Sequence, residues 1–167
     1  MRISACILAY FNRFCQSQRG DSWRYSCPIV PCDIDYTTGL AMNREAFQEL
    51  VEKALQRLPE EFRDHLENVD VIIEDWPSPQ QLASARVRHR AGLLGLYEGV
   101  PVTERGQRYN LVLPDKITIF QKPVEVICHS PKEVELEVER VLRHEIGHHF
   151  GIGEGRLRMI EKGWQEK

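Results

Sequence analysis

The sequence of 167 residues has no apolar run near the ~20 residues of a membrane-spanning helix. It also has no basic excess: 22 Lys and Arg stand against 25 Asp and Glu, which gives a formal net charge of −3. A general nucleic-acid-binding protein normally carries a basic stripe. We therefore expect neither nucleic acid nor a membrane among the partners. Internal repeats and low-complexity blocks are absent as well, and the length and 42% hydrophobic content are typical of a globular protein.

The five cysteines are odd in number, which excludes a fully paired disulfide framework. Reduced thiols are the simpler interpretation, so we expect a cytoplasmic protein. Cys27 and Cys32 make only a weak candidate for a zinc knuckle, because no second ligand pair follows at a suitable distance.

Residues 1–41 differ in character from the rest of the chain. The apolar run at residues 3–11 superficially resembles a secretory signal, but polar residues end it and no clear cleavage site follows. We expect residues 1–41 to be a poorly ordered extension and residues 42–167 to form the domain. The abrupt change at Met42 also allows the hypothesis that the native chain starts there. An endogenous peptide from upstream of Met42, detected by mass spectrometry, would rule that hypothesis out.

Hydrophobic periodicity predicts helices and strands in the domain. Apolar residues spaced by three and four at positions 47–58 predict a helix with Asn43 as its N-cap, and alternation at 69–75 predicts a strand. The other predicted elements are a helical turn or two at 60–66, a short helix opened by Ser78, strands at 93–97 and 116–120, a brief pairing at 111–113, and a short terminal helix around Leu157. Residues 123–128 fit a strand or a helical turn, and we favour the helix.

Ser130-Pro131-Lys132-Glu133 is the clearest local signal outside the metal motif, because it is a capping box with proline at the first helical position. It opens a predicted helix that runs to about Phe150. The core-facing stripe of this helix consists of Val134, Val138, Val141, Leu142 and Ile146.

His144, Glu145 and His148 form an H-E-x-x-H motif on the last turns of this helix. Positions i and i+4 lie on one helical face, so the two imidazoles can bind one metal ion. Glu145 is then placed to act as general base for a metal-bound water. Glu154 follows six residues after His148, beyond Gly151 and Gly153. Both glycines can adopt the left-handed conformation that ends a helix, so the turn can bring the Glu154 carboxylate to the same metal.

From about Met42 onward the sequence resembles the predicted zinc-dependent proteases with a minimal metalloprotease-like domain, the smallest members of the zincin group. The stretches that carry the resemblance are residues 42–58 with Leu58-Pro59-Glu60-Glu61-Phe62, residues 69–75, residues 93–101 with Thr103-Glu104-Arg105-Gly106, and residues 144–157. The resemblance implies an α+β, minimal zincin-like fold, in which a small mixed sheet packs against the active-site helix. It also implies Zn²⁺ bound by His144, His148 and the acidic residue at Glu154, a position where the family often has Asp.

These observations predict a zinc-dependent metallopeptidase that hydrolyses a peptide or protein substrate, with Glu145 as the general base. A second oxyanion donor is expected. Tyr97, Tyr109, His149 and Arg156 are candidates by residue type, although packing or solvated roles are the simpler interpretation for each. The strand at 116–120 is interpreted as a sheet edge that could pair with an extended peptide.

The alternative is a non-catalytic zinc-binding module with an interaction or regulatory role. A structural zinc site fills all four positions with protein groups, and His149 or His129 would have to supply the fourth. His149 should point about 100° away from His148 around the helix, so we expect it to miss the metal. The sequence does not determine the oligomeric state or the substrate.

Overall fold

The computed structural model describes residues 2–7, 40–64, 66, 68–105 and 114–165, and it describes side chains within residues 40–160. In chain order the elements are strand β1 (Arg2–Ile7), helices α1 (Arg44–Gln56) and α2 (Glu60–Arg63), strand β2 (Val69–Glu74), helix α3 (Pro79–Ala85), strands β3 (Leu93–Gly99) and β4 (Asp115–Phe120), and helices α4 (Gln121–Ile127), α5 (Pro131–His149) and α6 (Glu154–Gln165). Short 3₁₀ turns lie at Arg90–Gly92 and Val102–Glu104. The predicted pairing at residues 111–113 falls outside the described residues.

The four described strands form one mixed sheet in the order β1-β3-β4-β2. Strand β3 pairs antiparallel with β1 and with β4, whereas β2 pairs parallel with β4. With helices packed on this sheet, the predicted α+β zincin-like class is confirmed. The interpretation of residues 116–120 as a sheet edge is wrong, because β4 is hydrogen-bonded to a strand on each side. An extended peptide therefore has no free β4 edge to join.

Strand β1 lies inside the segment expected to be a poorly ordered extension, so that expectation is wrong for Arg2–Ile7. Strand pairing joins residues far apart in sequence, and nothing local in residues 2–7 indicates β3 as the partner. Residues 8–39 lie outside the described residues. The domain boundary at residue 42 and the alternative start at Met42 stay predictions.

Helix α5 lies across the sheet and carries the core. Its predicted stripe is buried throughout, and the helix packs on β3, β1 and β4 and against α1. The Ser130 Oγ accepts the backbone N–H of Glu133 at 3.2 Å. In a reciprocal capping box the Glu133 carboxylate would accept the N–H of the N-cap residue, Ser130. Here it accepts the N–H of His129, one residue earlier. The helix is therefore capped as predicted at Ser130, with the return hydrogen bond shifted by one residue.

The smaller helices follow the sequence signals. Asn43 Oδ1 accepts the N–H of Ala46 at the start of α1. Ser78 and Gln81 form a complete capping box at the start of α3. The ambiguous segment at 123–128 forms α4 through Ile127, so the helical interpretation is confirmed. Among the described helices, none is both long enough and apolar enough to span a membrane.

Candidate metal centre

The H-E-x-x-H motif occupies the last two turns of α5. His144, Glu145 and His148 are all buried, with exposed fractions of 3%, 0% and 6%. The two Nε2 atoms of His144 and His148 lie 3.1 Å apart, and their rings meet edge to face at a centroid distance of 4.8 Å. The i, i+4 spacing thus brings two imidazole nitrogens to one point, as the sequence predicts.

A glycine turn ends α5 directly after this motif. Gly151 has a φ of +77°. Its N–H donates to the carbonyl of His148 at 2.9 Å, and the N–H of Ile152 donates to the carbonyl of Gly147 at 2.9 Å. These two hydrogen bonds form a Schellman motif, which reverses the chain after a helix. Of the two glycines that can adopt the left-handed conformation, Gly151 is the one with positive φ. One left-handed residue is therefore enough for the turn.

Glu154, the first residue of α6, meets the two histidines. Its Oε2 lies 3.3 Å from Nε2 of His144 and 3.4 Å from Nε2 of His148. Its Oε1 accepts a hydrogen bond from Nε of Arg158 at 2.9 Å. The described part of the chain contains one cluster of this kind, and we call His144, His148 and Glu154 the metal cluster.

The dimensions and chemistry of the metal cluster fit a zinc ion. Zinc binds nitrogen and oxygen ligands at about 2.0–2.1 Å in tetrahedral geometry, which places neighbouring ligand atoms roughly 3.3 Å apart. The three distances here, 3.1, 3.3 and 3.4 Å, match that value. Two imidazoles and a carboxylate are also a ligand set that suits zinc. The residues present therefore fit this metal in spacing and in ligand chemistry.

The protonation of His148 favours metal binding. Burial, together with the nearby His144, lowers the pKa of His148 from 6.5 to about 4, although the Glu154 carboxylate opposes the shift. The His148 imidazole is therefore neutral at neutral pH. A neutral imidazole has a free lone pair, which is the form that binds a metal.

Glu145 lies at the interface between α5 and the sheet. A Cβ atom on Gly95 of β3 would lie 2.9 Å from Oε1 of Glu145 and 2.6 Å from Cγ1 of Val141. Only glycine leaves room for this approach of the helix to the strand. Glu145 is thus held in a closely packed position one residue after the first histidine of the metal cluster.

Residues 66–164, more than half of the chain, match the family model of the zincin-like metallopeptidases. The chain belongs to this family. The resemblance to minimal zincins is confirmed by that match. No curated protein significantly matches the chain.

The candidates for a second oxyanion donor in this zincin-like domain have different surroundings. Tyr97 is fully buried, and its hydroxyl donates to Oδ2 of Asp115 at 2.7 Å. Arg156 is exposed on the first turn of α6. Tyr109 lies outside the described residues. His149 was interpreted as solvated, which is wrong, because its exposed fraction is 0%.

His149 belongs to a second polar group that the sequence did not predict. Its Nδ1 lies 3.0 Å from Oδ2 of Asp115, whose exposed fraction is 2%. The same oxygen accepts from the guanidinium of Arg105 and from the Tyr97 hydroxyl. A carboxylate accepts hydrogen bonds, so Nδ1 of His149 is the donor in this contact. We call Asp115, Tyr97, Arg105 and His149 the Asp115 network.

The Thr103-Glu104-Arg105-Gly106 stretch was the one available signal for the Asp115 network. It is one of the stretches that resemble the minimal zincins, and it contains Arg105, which pairs with Asp115. Periodicity gives no further signal, because the members of the network come from β3, β4, α5 and the connection between the two strands.

Proposed function

We propose that this protein is a zinc-dependent metallopeptidase that hydrolyses peptide bonds in a peptide or protein substrate. The observation that carries the proposal is the convergence of three ligand atoms, from His144, His148 and Glu154, at the spacing of a tetrahedral zinc site. Membership of the zincin-like metallopeptidase family supports it.

In this proposal His144, His148 and Glu154 would hold the metal. When bound, zinc would polarise the scissile carbonyl and increase the acidity of a water molecule in the site. Glu145 accepts the proton of the attacking water and then delivers it to the leaving amine. The packing of Glu145 against Gly95 supports this role, because a general base has to be held in a fixed position.

The alternative, a non-catalytic zinc-binding module, needs a fourth protein ligand. His149, one of its two candidates, contacts Asp115 through Nδ1. His129, the other, precedes α5 at its opposite end. At about 1.5 Å per helical residue, His129 lies roughly 20 Å from His144 along the helix. Neither candidate joins the metal cluster among the described residues, which favours the enzyme.

The first test is the zinc content of the purified protein, compared with His148→Ala and Glu154→Ala. We expect about one zinc per chain in the wild type and a strong reduction in both variants. Zinc retained by Glu154→Ala would mean that the third ligand is another residue. Absence of zinc from every sample, even after zinc is added, would refute the proposed function.

The second test separates catalysis from binding. Glu145→Gln should keep its zinc and lose activity on a peptide library by about a hundredfold or more, because general acid–base catalysis contributes 10²–10⁴. Glu49→Gln, an exposed residue of α1, is the matched control and should keep full activity. Full activity of zinc-loaded Glu145→Gln would refute the general-base role. A wild type that binds zinc but cleaves no peptide would favour the binding module.

A further inference from the structure

The residues that follow β3 connect at two points to the chain segment between His148 and Glu154: to His149 through Asp115, and to Gly151 directly. Pro101 to Arg105 includes the 3₁₀ turn Val102–Glu104, and we call it the 101–105 loop. Arg105 attaches this loop to the end of β3, because its Nε donates to the carbonyl of Val100 at 3.0 Å. Its guanidinium also donates to the buried Asp115.

The first contact is with the end of α5. Asp115 joins Arg105 to His149, the last residue of α5, which directly follows the ligand His148. The N–H of Val100 adds a hydrogen bond of 3.2 Å to Oδ1 of the same carboxylate. A buried carboxylate with several donors in fixed positions has one preferred geometry, so this arrangement fixes the last turn of the helix relative to β3 and β4.

The second contact is with the glycine turn. A Cβ atom on Gly151 would collide with Oγ1 of Thr103, and it would lie 3.0 Å from Cγ2 of the same residue. Thr103 therefore packs directly over the backbone of the left-handed residue that redirects the chain towards Glu154. Thr103 is otherwise exposed, so its removal should leave the core intact.

We propose that Thr103 and Arg105 are positioning residues of the metal centre, which fix the turn between His148 and Glu154 so that the Glu154 carboxylate reaches the two imidazoles. Thr103 acts on Gly151, three residues before Glu154, and Arg105 acts through Asp115 on His149, one residue after His148. The inference rests on the proposed function, because it requires that the metal cluster bind zinc. It gives the Thr103-Glu104-Arg105 stretch a physical role in that site.

The test is the zinc affinity of the full chain, measured by competition with a chromophoric chelator. Two variants are compared with the wild type: Thr103→Ala, and Arg105→Gln combined with Asp115→Asn. The double substitution avoids an unpaired buried carboxylate, which would destabilise the whole fold. We expect zinc affinity to fall by about 10- to 100-fold, as when outer partners of metal ligands are removed. Val51→Ala in the core of α1 is the control, and it should change zinc affinity by less than about twofold.

A double-mutant cycle shows whether the effect passes through Glu154. In a Glu154→Ala background, Thr103→Ala should change zinc affinity by less than about twofold, because the turn no longer carries a ligand. An equal loss in both backgrounds would overturn the inference, since Thr103 would then act on the fold in general. Unchanged affinity of both variants, with normal zinc binding by the wild type, would overturn the inference and leave the proposed function standing. A wild type without zinc would refute both.

Discussion

His148 and His149 are neighbours in sequence, yet they belong to two polar groups of opposite character. His148 joins the metal cluster, where three ligand atoms from His144, His148 and Glu154 converge on one point. His149 joins the Asp115 network, where hydrogen-bond donors surround one carboxylate. In the proposed zinc site a cation from outside would complete the converging lone pairs, whereas the Asp115 carboxylate is already paired with a guanidinium. One helical turn therefore carries a member of the metal cluster, His148, next to a member of the Asp115 network, His149.

The two groups should respond differently to substitution. A buried ion pair is costly to break, because the remaining charge is left without a partner. A metal cluster without its metal contributes less to stability, since its ligands are selected to meet the ion rather than each other. The following predictions test this difference, and they run from the largest expected effect to the smallest.

Asp115→Ala should reduce the free energy of unfolding of the metal-free protein by roughly 3–5 kcal/mol, because it leaves the Arg105 guanidinium without its buried partner. The side chain of Arg105 is 18% exposed, which favours the lower end of that range. Urea unfolding measures the change. Asp70→Ala removes an exposed aspartate of β2 and should cost less than about 0.5 kcal/mol. Equal stability of the two variants would mean that the Asp115 network is not a structural attachment.

The reactivity of Cys128 gives an independent measure of the stability lost in Asp115→Ala. Burial, with contributions from Glu137 and Glu133, raises the pKa of its thiol from 9.0 to about 12. The buried thiol stays protonated near pH 8.5, and alkylation requires opening of the fold. Asp115→Ala should therefore accelerate alkylation of Cys128, read by peptide mass spectrometry, by about tenfold for each 1.4 kcal/mol of lost stability. An unchanged rate would contradict the urea result.

His148→Ala should have a small effect on the stability of the metal-free protein and a large effect on its stabilisation by zinc. We expect the metal-free variant to lose no more than about 1–2 kcal/mol. Zinc at a hundred times the dissociation constant stabilises the wild type by about 2.7 kcal/mol, and this gain should disappear in the variant. Thermal unfolding with and without zinc measures both quantities. A metal-free loss as large as that of Asp115→Ala would remove the distinction between the two groups.

The sequence predicts the metal cluster far better than the Asp115 network, and the reason is physical. The spacing of His144 and His148 and the turn at Gly151 are local, so short-range geometry determines where Glu154 lies. The partners of Asp115 are brought together by strand pairing and helix packing, which no local period encodes. Strand β1 was missed for the same reason, and the interior place of β4 became evident only with the full strand order.

Two glycines allow a more selective test, because each lies beside one of the two polar groups. A Cβ atom on Gly99 would collide with the carboxyl group of Asp115 and lie 2.7 Å from the Tyr97 hydroxyl. Gly99→Ala should cost about 1–3 kcal/mol in unfolding free energy, the usual effect of overpacking. On Gly147 the added methyl meets the flexible end of Leu157 in α6. We expect Gly147→Ala to cost less than about 1 kcal/mol, because alanine favours the helix. Its main effect should be weaker zinc binding, since α6 begins with Glu154.

Chelator competition and urea unfolding on both alanine variants separate the two effects. A Gly147→Ala variant with unchanged zinc affinity would show that the packing of Leu157 on α5 does not set the position of Glu154. A Gly99→Ala variant as stable as the wild type would show that Asp115 can move without cost, which contradicts a fixed network.

The smallest effect on zinc affinity is expected at the far end of α5. Ser130→Ala removes the N-cap and should cost about 1 kcal/mol of unfolding free energy. Ser84→Ala, at an exposed serine of α3, is the control and should stay within about 0.5 kcal/mol. Zinc affinity should be unchanged in both, because the metal cluster depends on the last turns of α5 and on the turn that Thr103 and Arg105 hold. If Ser130→Ala did weaken zinc binding, the whole helix would set the ligand geometry, and the local attachment at His149 would lose its special role.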